Sequence, residues 1–271
     1  MPSSKKTQKI KKNTQKIKKK TLKGKKRKKV KIIDVPLSEN ISQGSFESMG
    51  EKNYHYQAYN MIFLYFNKLL NKNKNLQNLL CFPKKKEDWM NSFFKLNLND
   101  DDLKTSELLI QNISFLDPNA NLNKIIDLVK TCQNKKKRFF MLSVALVVPG
   151  KPGTHANMVV IDLKKKTSEL FEPHAKRTEQ STLDSLVGAY KISDDLLRDL
   201  FKKILPDFKY ISSQDYLPTW GLQGKTDAYG GLCVTWTAMY LHYRILNPNS
   251  SREKIIKYLN NLNQNFLLKY V

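Results

Sequence analysis

A cysteine at the start of an apolar helical pattern is the first feature of this sequence that could do chemistry. Cys233 directly follows the segment Gly230-Gly231-Leu232, and apolar residues recur at helical spacing from there to Asn247. The pattern places Cys233 in the first turn of a helix, where backbone N–H groups and the macrodipole stabilise a thiolate. The alternative is that Cys233 is a small buried apolar residue, as free cysteines commonly are.

A histidine and a glutamate upstream favour the chemical alternative. Residues 155 to 172 have the pattern of a strand, a polar turn and a second strand. His155 begins the first strand and Glu172 ends the second. Because the start of one strand in an antiparallel hairpin lies beside the end of the next, we predict that imidazole and carboxylate meet. Such a pair can orient and charge a general base for a cysteine nucleophile.

His174 is a second candidate for the base. It follows Pro173 and leads into a charged segment. A loop orients a base less well than a strand does, which favours His155. We therefore predict that Cys233 is the nucleophile, His155 the general base and later acid, and Glu172 the orienting carboxylate.

The order and spacing of these residues resemble the ubiquitin-like-protein protease family, which includes the SUMO proteases, adenovirus protease and related proteases of large DNA viruses. Glu172 lies seventeen residues after His155, and Cys233 lies about sixty residues beyond Glu172. The Gly-x-Cys-x-x-Trp form around Cys233 is most similar to the viral branch. The matching region spans about residues 139 to 250.

The resemblance implies an α+β fold, with a papain-like cysteine protease core of the SUMO-protease and adenovirus-protease type and a central mixed sheet flanked by helices. It implies an endopeptidase that works through a thioester acyl-enzyme without a metal or organic cofactor. The implied substrates are viral precursor proteins, often cut after Gly-x-type sites. Two alternatives remain open: an isopeptidase acting on ubiquitin or SUMO conjugates, and a non-catalytic, basic, nucleic-acid-binding virion protein.

The resemblance also implies a glutamine that donates to the oxyanion. In the cellular SUMO proteases it stands six residues before the cysteine, but here that position is Asp227, and an ionised carboxylate cannot donate. We assign the role to Gln223, ten residues before Cys233, with an inserted loop over Gly224 to Asp227. Alternatively, Gln223 is a surface loop residue, and Trp220 or a backbone N–H completes the oxyanion hole.

Two further positions depart from the cellular members of the family. Ala156 follows His155 where those relatives have tryptophan, and the acid is Glu172 where they have aspartate. Either carboxylate can hold an imidazole if the backbone shifts by about the length of one methylene.

The elements that must position these residues are predicted over residues 136 to 271, the protease core. The continuous apolar run from Arg138 to Val148 indicates a strand buried on both faces. Strands over 155 to 162 and 167 to 172 follow. The remaining predicted elements are two short helices broken near Gly188 within residues 181 to 205, a strand over Phe208 to Ser212, the Cys233 helix, and a C-terminal helix entered at Ser251.

Residues 38 to 135 are predicted to form a helical accessory subdomain. Ser38 to Gly50 is polar and has the composition of a linker. Helical spacing then recurs over three segments: Tyr54 to Leu70, Leu103 to Ile110 and Leu122 to Cys132.

Residues 1 to 37 are predicted to be a disordered, lysine-rich tail. The net charge is +24, and residues 1 to 31 carry sixteen Lys and Arg with no Asp or Glu. Such a segment cannot bury enough apolar surface to offset its ordering entropy. It could neutralise nucleic-acid phosphates, serve as a nuclear address through residues 25 to 29, or act as a solubilising arm without a defined partner.

The cysteines and histidines indicate neither a disulfide-built fold nor a zinc site. Three cysteines without C-x-x-C spacing fit a reducing intracellular compartment. The resemblance to viral proteases implies a viral factory, the virion or the nucleus as the location. The four histidines are far apart, so no metal site is expected. No leader, transit pattern or membrane-spanning stretch is predicted.

Overall fold

A six-stranded mixed sheet lies at the centre of this computed structural model. The structure describes residues 31–34, 51–85, 88–89, 92–97, 113–115, 122–147, 155–174, 184–219, 221–226 and 232–268. The strands are β1 (Phe93–Asn97), β2 (Ile113–Phe115), β3 (Phe139–Val147), β4 (His155–Asp162), β5 (Thr167–Phe171) and β6 (Lys209–Ile211). Their order is β2-β1-β3-β4-β5-β6. The pairs β1/β3 and β5/β6 are parallel, and the other neighbours are antiparallel.

Helices cover both faces of this sheet. The helices are α1 (Glu51–Lys72), α2 (Lys74–Leu79), α3 (Leu122–Asn134), α4 (Asp184–Ile204), α5 (Leu222–Thr226), α6 (Cys233–Leu246), α7 (Arg252–Asn261) and α8 (Gln264–Leu268). Buried residues of α3 and α4 share one apolar cluster, and those of α1, α2 and α5 to α8 share the other. The fold is therefore α+β. None of the helices in the described ranges combines the length and apolarity needed to cross a bilayer.

Strand β3 is apolar except for Ser143 because both of its faces are covered. Phe139 and Met141 belong to the cluster that contains α6, whereas Phe140 and Leu142 belong to the cluster on the opposite face. Side chains alternate between the two faces of a strand, so a continuous apolar run is what a sheet buried on both sides requires. The prediction of a doubly buried strand is confirmed.

Helix α6 is buried on nearly all sides, which fixes its position against the sheet. It packs on β4 and against α1. The ring of Tyr240 stacks on Phe171 of β5, with centroids 4.2 Å apart and planes 7° from parallel. The predicted Cys233 helix is confirmed, and its buried packing holds the end that carries Cys233 at a defined place above the β4–β5 hairpin.

Residues 184 to 204 form one helix rather than the two that we predicted. Helix α4 runs through Gly188 without a break. Leu196, Leu197 and Leu200 are each at most 2% exposed. Burying such side chains contributes about 1.5 to 3 kcal/mol each, more than the roughly 1 kcal/mol that a glycine costs within a helix.

The predicted helical subdomain over residues 38 to 135 does not form a separate unit. It contributes β1 and β2, and β1 pairs in parallel with β3 of the predicted core. Ile32–Val271 cluster as one compact unit, so there is no domain boundary at residue 135. Helices α1 and α3 confirm two of the predicted helices. Ser38 to Gly50 and Leu103 to Ile110 lie outside the described residues.

The predicted disordered tail ends too late in the chain. Ile32 is buried, and the backbone of Ile33 exchanges two hydrogen bonds with the side chain of Asn247, at 2.6 and 2.9 Å. Asp34 accepts a hydrogen bond from Tyr258 at 2.6 Å. This segment therefore docks on α6 and α7. The other residues of the predicted tail, 1–30 and 35–37, lie outside the described residues.

A disulfide joins Cys81 to Cys132, whereas the cysteine count and spacing indicate a reducing compartment rather than a fold built on disulfides. Cys81 follows α2 and Cys132 lies in α3, so the bond ties two elements from the front half of the chain. Sequence spacing did not reveal this pair because the two residues are 51 positions apart. Cys233 is a free cysteine.

Reduction of the Cys81–Cys132 disulfide is expected to lower the thermal unfolding temperature by about 10 °C. Closing a loop of this length stabilises a fold by about 4 kcal/mol in the chain-entropy estimate. The measurement is calorimetry with and without a phosphine reductant. A Cys81→Ala/Cys132→Ala variant is the control and should not respond to the reductant. An unchanged unfolding temperature of the wild type would contradict this assignment.

His242 in α6 is expected to make the fold sensitive to acid. Burial lowers the pKa of His242 to about 4, and its Nδ1 lies 2.9 Å from Oη of Tyr65. The unfolded chain therefore binds a proton between about pH 6.5 and 4 that the folded chain does not, and stability falls as the pH falls through this range. Relative to a His242→Phe variant, the wild type should lose about 3 kcal/mol of unfolding free energy, measured by urea titration at several pH values. A constant difference would contradict the neutral buried state.

Candidate active site

The β4–β5 hairpin places His155 beside Glu172. Met158 is paired with Phe171, so Glu172 follows the last residue of β5 and lies diagonal to the first residue of β4. Nε2 of His155 donates to Oε1 of Glu172 at 2.6 Å. The side chains are only 11% and 4% exposed, so water screens this pair weakly. The prediction that the hairpin joins imidazole and carboxylate is confirmed.

Cys233 is the first residue of α6, and its side chain raises the pKa of His155. Because Nε2 of His155 is engaged by Glu172, Nδ1 is the ring nitrogen that is left to serve a nucleophile. Cys233 is 2% exposed and belongs to the apolar cluster beneath α6. The structure thus brings together the three side chains that were predicted to form a triad, from β4, from the end of β5 and from the start of α6.

The charges in this group favour a protonated imidazole. Burial alone would lower the pKa of His155, but the charge of Glu172 and hydrogen bonds to Cys233 and Glu172 raise it to about 10. Burial alone would raise the pKa of Glu172, but the His155 charge, their hydrogen bond and nearby His174 hold it below its usual value. At neutral pH the pair is therefore an imidazolium and a carboxylate.

This arrangement can support nucleophilic chemistry at sulfur. A nearby imidazolium and the amino end of a helix are both surroundings in which cysteines act as nucleophiles. The first turn of α6 contains no acidic residue, and Leu232 makes no side-chain cap there. Backbone N–H groups at such a helix end can also donate to an oxyanion.

Gln223 lies beside the acid of this group. It belongs to the short helix α5, which packs against α6, and its backbone N–H donates to the carbonyl of Pro173 at 3.2 Å. Gln223 is 7% exposed, so it is not the surface loop residue of the alternative interpretation. Gly224 to Thr226 share the helix with Gln223 rather than forming a loop, and Asp227 and Trp220 lie outside the described residues. The oxyanion role of Gln223 stays a prediction.

His174 is a partner of the His155–Glu172 pair rather than a competitor in a loop. Its backbone N–H donates to Oε1 of Glu172 at 2.8 Å, and its ring lies 4.7 Å from the ring of His155, centroid to centroid. The same carboxylate oxygen therefore accepts from both histidines. The sequence signal for this arrangement is the continuation of the hairpin register, which puts His174 opposite His155.

A buried ion pair that sequence reasoning missed ties α6 to β5. Nε of Arg244 donates to Oε1 of Glu169 at 2.6 Å, and Nη2 lies 3.3 Å from Oε2. Tyr240 donates to the same carboxylate at 2.9 Å. Arg244 is eleven residues after Cys233, three helical turns away on the same side of α6, and Glu169 is three residues before Glu172. The pair therefore links the helix that carries the thiol to the strand that leads to the acid.

In the ranges that the structure describes, no group of three or more His, Cys, Asp or Glu side chains is arranged to hold a metal ion. No protein-family model matches this sequence, and no curated protein matches it.

Proposed function

We propose that this chain is a cysteine protease, an endopeptidase in which Cys233, His155 and Glu172 form the catalytic triad. The observation that carries the proposal is the 2.6 Å hydrogen bond from His155 to Glu172, with Cys233 at the start of α6 acting on the same imidazole. An inert domain has no need for a buried thiol, imidazole and carboxylate in this order. The proposal needs no metal or organic cofactor.

The proposed acylation step begins with attack of the Cys233 thiolate on the carbonyl carbon of the scissile bond. The carbonyl oxygen becomes an oxyanion, which the backbone N–H groups at the start of α6 and the side-chain amide of Gln223 would stabilise. His155 then donates its Nδ1 proton to the leaving amine, and the C–N bond breaks to give a thioester.

In deacylation, His155 is neutral and takes a proton from water as the water oxygen attacks the thioester carbon. The carbon–sulfur bond breaks, the acid product leaves, and the thiolate and imidazolium are restored. Glu172 holds the ring orientation and stabilises the imidazolium throughout the cycle. Its further hydrogen bond from His174 at 2.8 Å supports that orientation.

The finer fold assignment is a papain-like core of the SUMO-protease and adenovirus-protease type. Its support is the mixed sheet flanked by helices, with the nucleophile helix α6 packed on the strand that begins with the histidine. The proposed protein substrate is either a precursor polyprotein or a ubiquitin-like conjugate. Residues 1–31 are proposed to bind nucleic acid without sequence specificity, and no membrane partner is proposed. The proposed locations are the cell interior, a viral factory, the nucleus and the virion. Among these, the virion is a location in which the Cys81–Cys132 disulfide would persist.

The experiment that tests the proposal compares two substrate classes. One is a library of internally quenched peptides with glycine-rich sites, and the other is ubiquitin or SUMO with a C-terminal vinyl sulfone. Peptide hydrolysis without modifier labelling supports the endopeptidase, whereas the reverse supports the deubiquitinase or deSUMOylase alternative. Failure of both substrate classes, with Cys233 also inert to small alkylating agents, would favour the non-catalytic virion protein.

A further inference from the structure

Exposed lysines gather at the end of the sheet opposite the candidate active site. His155 begins β4, and at the other end of this strand Asp162 pairs with Phe139 of β3 and Thr167 of β5. Thr167 in turn pairs with the first residue of β6. Neighbouring strands are about 4.8 Å apart, so the loops at this end of the sheet lie next to one another. They carry six exposed lysines, here called the lysine end: Lys135, Lys136, Lys164, Lys165, Lys166 and Lys209.

The backbone that carries these lysines is held in place by hydrogen bonds. Oδ1 of buried Asp162 accepts from the backbone N–H groups of Lys164 and Lys165, each at 3.1 Å. The N–H of Lys209 donates to the carbonyl of Lys166 at 2.9 Å. Because the turn is already ordered, a ligand that binds here would meet little cost of ordering the backbone.

Two of these lysines occupy backbone conformations that suit glycine better. Lys136 has φ of 53° and Lys166 has φ of 52°, and they are the positive-φ residues other than glycine in the described part of the chain. A left-handed conformation costs such a residue about 1 kcal/mol, and glycine or asparagine would avoid most of it. Both positions nevertheless carry a lysine at the same end of the molecule, which indicates a use for the charge.

Nearby acidic groups do little to neutralise the lysine end. Asp162 is buried and forms an ion pair with Arg138 at 3.1 Å. Asp207 is 79% exposed and lies 3.9 Å from Nζ of Lys166, a geometry that contributes little in water. The last turn of α4, which ends just before β6, adds two more exposed lysines, Lys202 and Lys203.

We propose that the lysine end is a binding surface for the phosphate backbone of nucleic acid. Exposed lysines act as point charges that suit phosphate without reading base edges, so the binding would be independent of sequence and strongly dependent on salt. This surface is distinct from residues 1–31 and lies at the opposite end of β4 from the candidate triad. A protein bound to nucleic acid through it would keep His155 and Cys233 open to a protein substrate.

The test is a salt titration of duplex DNA binding by the full chain, measured by fluorescence anisotropy with a mixed-sequence duplex. The test variant is Lys136→Gly/Lys164→Gln/Lys166→Gly. The control variant, Lys68→Gln/Lys124→Gln/Lys257→Gln, makes the same charge change on α1, α3 and α7, at residues that do not belong to the lysine end. At about 0.1 M salt the test variant should bind about tenfold more weakly or worse, and its slope of log affinity against log salt should fall by about 2 to 3.

The control variant should change the affinity less than about threefold. The two glycine substitutions should leave the unfolding temperature unchanged or higher, so weaker binding would not reflect unfolding. Equal losses in the test and control variants would overturn the proposal, because net charge alone would then explain the binding. Equally tight binding of polyglutamate would also overturn it and would indicate an acidic protein partner instead.

Discussion

Replacing Cys233 with alanine is expected to reduce peptide hydrolysis by about four to six orders of magnitude, while the unfolding temperature stays near that of the wild type. In the proposed mechanism every turnover passes through a bond to Sγ, and removing a nucleophile of this kind costs about this much in other enzymes. Cys233 is 2% exposed, but losing one sulfur atom leaves only a small cavity. The measurement is kcat/KM on the most reactive member of the peptide library.

The matched control for this variant is Thr235→Ala, a change in the same turn of α6. Thr235 is partly exposed, and we expect its replacement to alter kcat/KM less than about threefold. If Cys233→Ala retained a tenth or more of the wild-type activity in a preparation free of other proteases, sulfur could not be the nucleophile.

Replacing Glu172 with glutamine is expected to lower kcat by about two to four orders of magnitude. The amide keeps the size of the side chain but removes the charge that holds the pKa of His155 at about 10. With that pKa lowered, less imidazolium is present at neutral pH, so less of the enzyme carries the thiolate and imidazolium pair together. The measurement is kcat as a function of pH. The decline of kcat that occurs as the pH rises should begin at a lower pH in the variant than in the wild type.

Glu172→Asp is the conservative control for the acid, because aspartate keeps the carboxylate and serves as the acid in the cellular members of the proposed family. It keeps the charge and should recover at least about a tenth of the wild-type kcat. A Glu172→Gln variant with a wild-type pH profile would show that the carboxylate only fills space beside His155.

The parts of the site that the sequence predicted are those specified by local patterns. The β4–β5 hairpin follows from apolar residues on both sides of a polar turn, and its register brings the ends that carry His155 and Glu172 together. Helix α6 follows from apolar spacing after Cys233. Each of these patterns is complete within about twenty residues, where periodicity is informative.

The parts that were missed depend on contacts between distant segments. Strand β1 is five residues long and places Phe93 and Phe94 in different apolar clusters, and so short a run has no distinct period. The Cys81–Cys132 bond spans 51 residues, and spacing alone cannot choose partners among three cysteines. Gln223 was predicted, but only through a resemblance; its contact with Pro173, fifty residues earlier, was missed.

The buried pair of Glu169 and Arg244 illustrates the same limit. Burying Glu169 in an apolar strand or Arg244 on a buried helix would be unfavourable for either charge alone. Only the fold brings Nε of Arg244 to 2.6 Å from Oε1 of Glu169. Sequence reasoning can mark both residues as unusual, since buried charges require partners. It cannot pair them without the topology that puts α6 across β5.

The most direct test of the central claim, that His155 and Glu172 activate the Cys233 thiol, is the rate of alkylation of Cys233 by iodoacetamide. The rate is followed by peptide mapping at about pH 6.5, where an ordinary thiol is only about one per cent thiolate. We predict rapid labelling of Cys233 in the wild type and a labelling rate that is lower by about tenfold or more in His155→Ala. Thermal unfolding curves should show that both proteins are folded at the temperature of the assay. Equal and slow labelling in the two proteins would contradict the proposed triad.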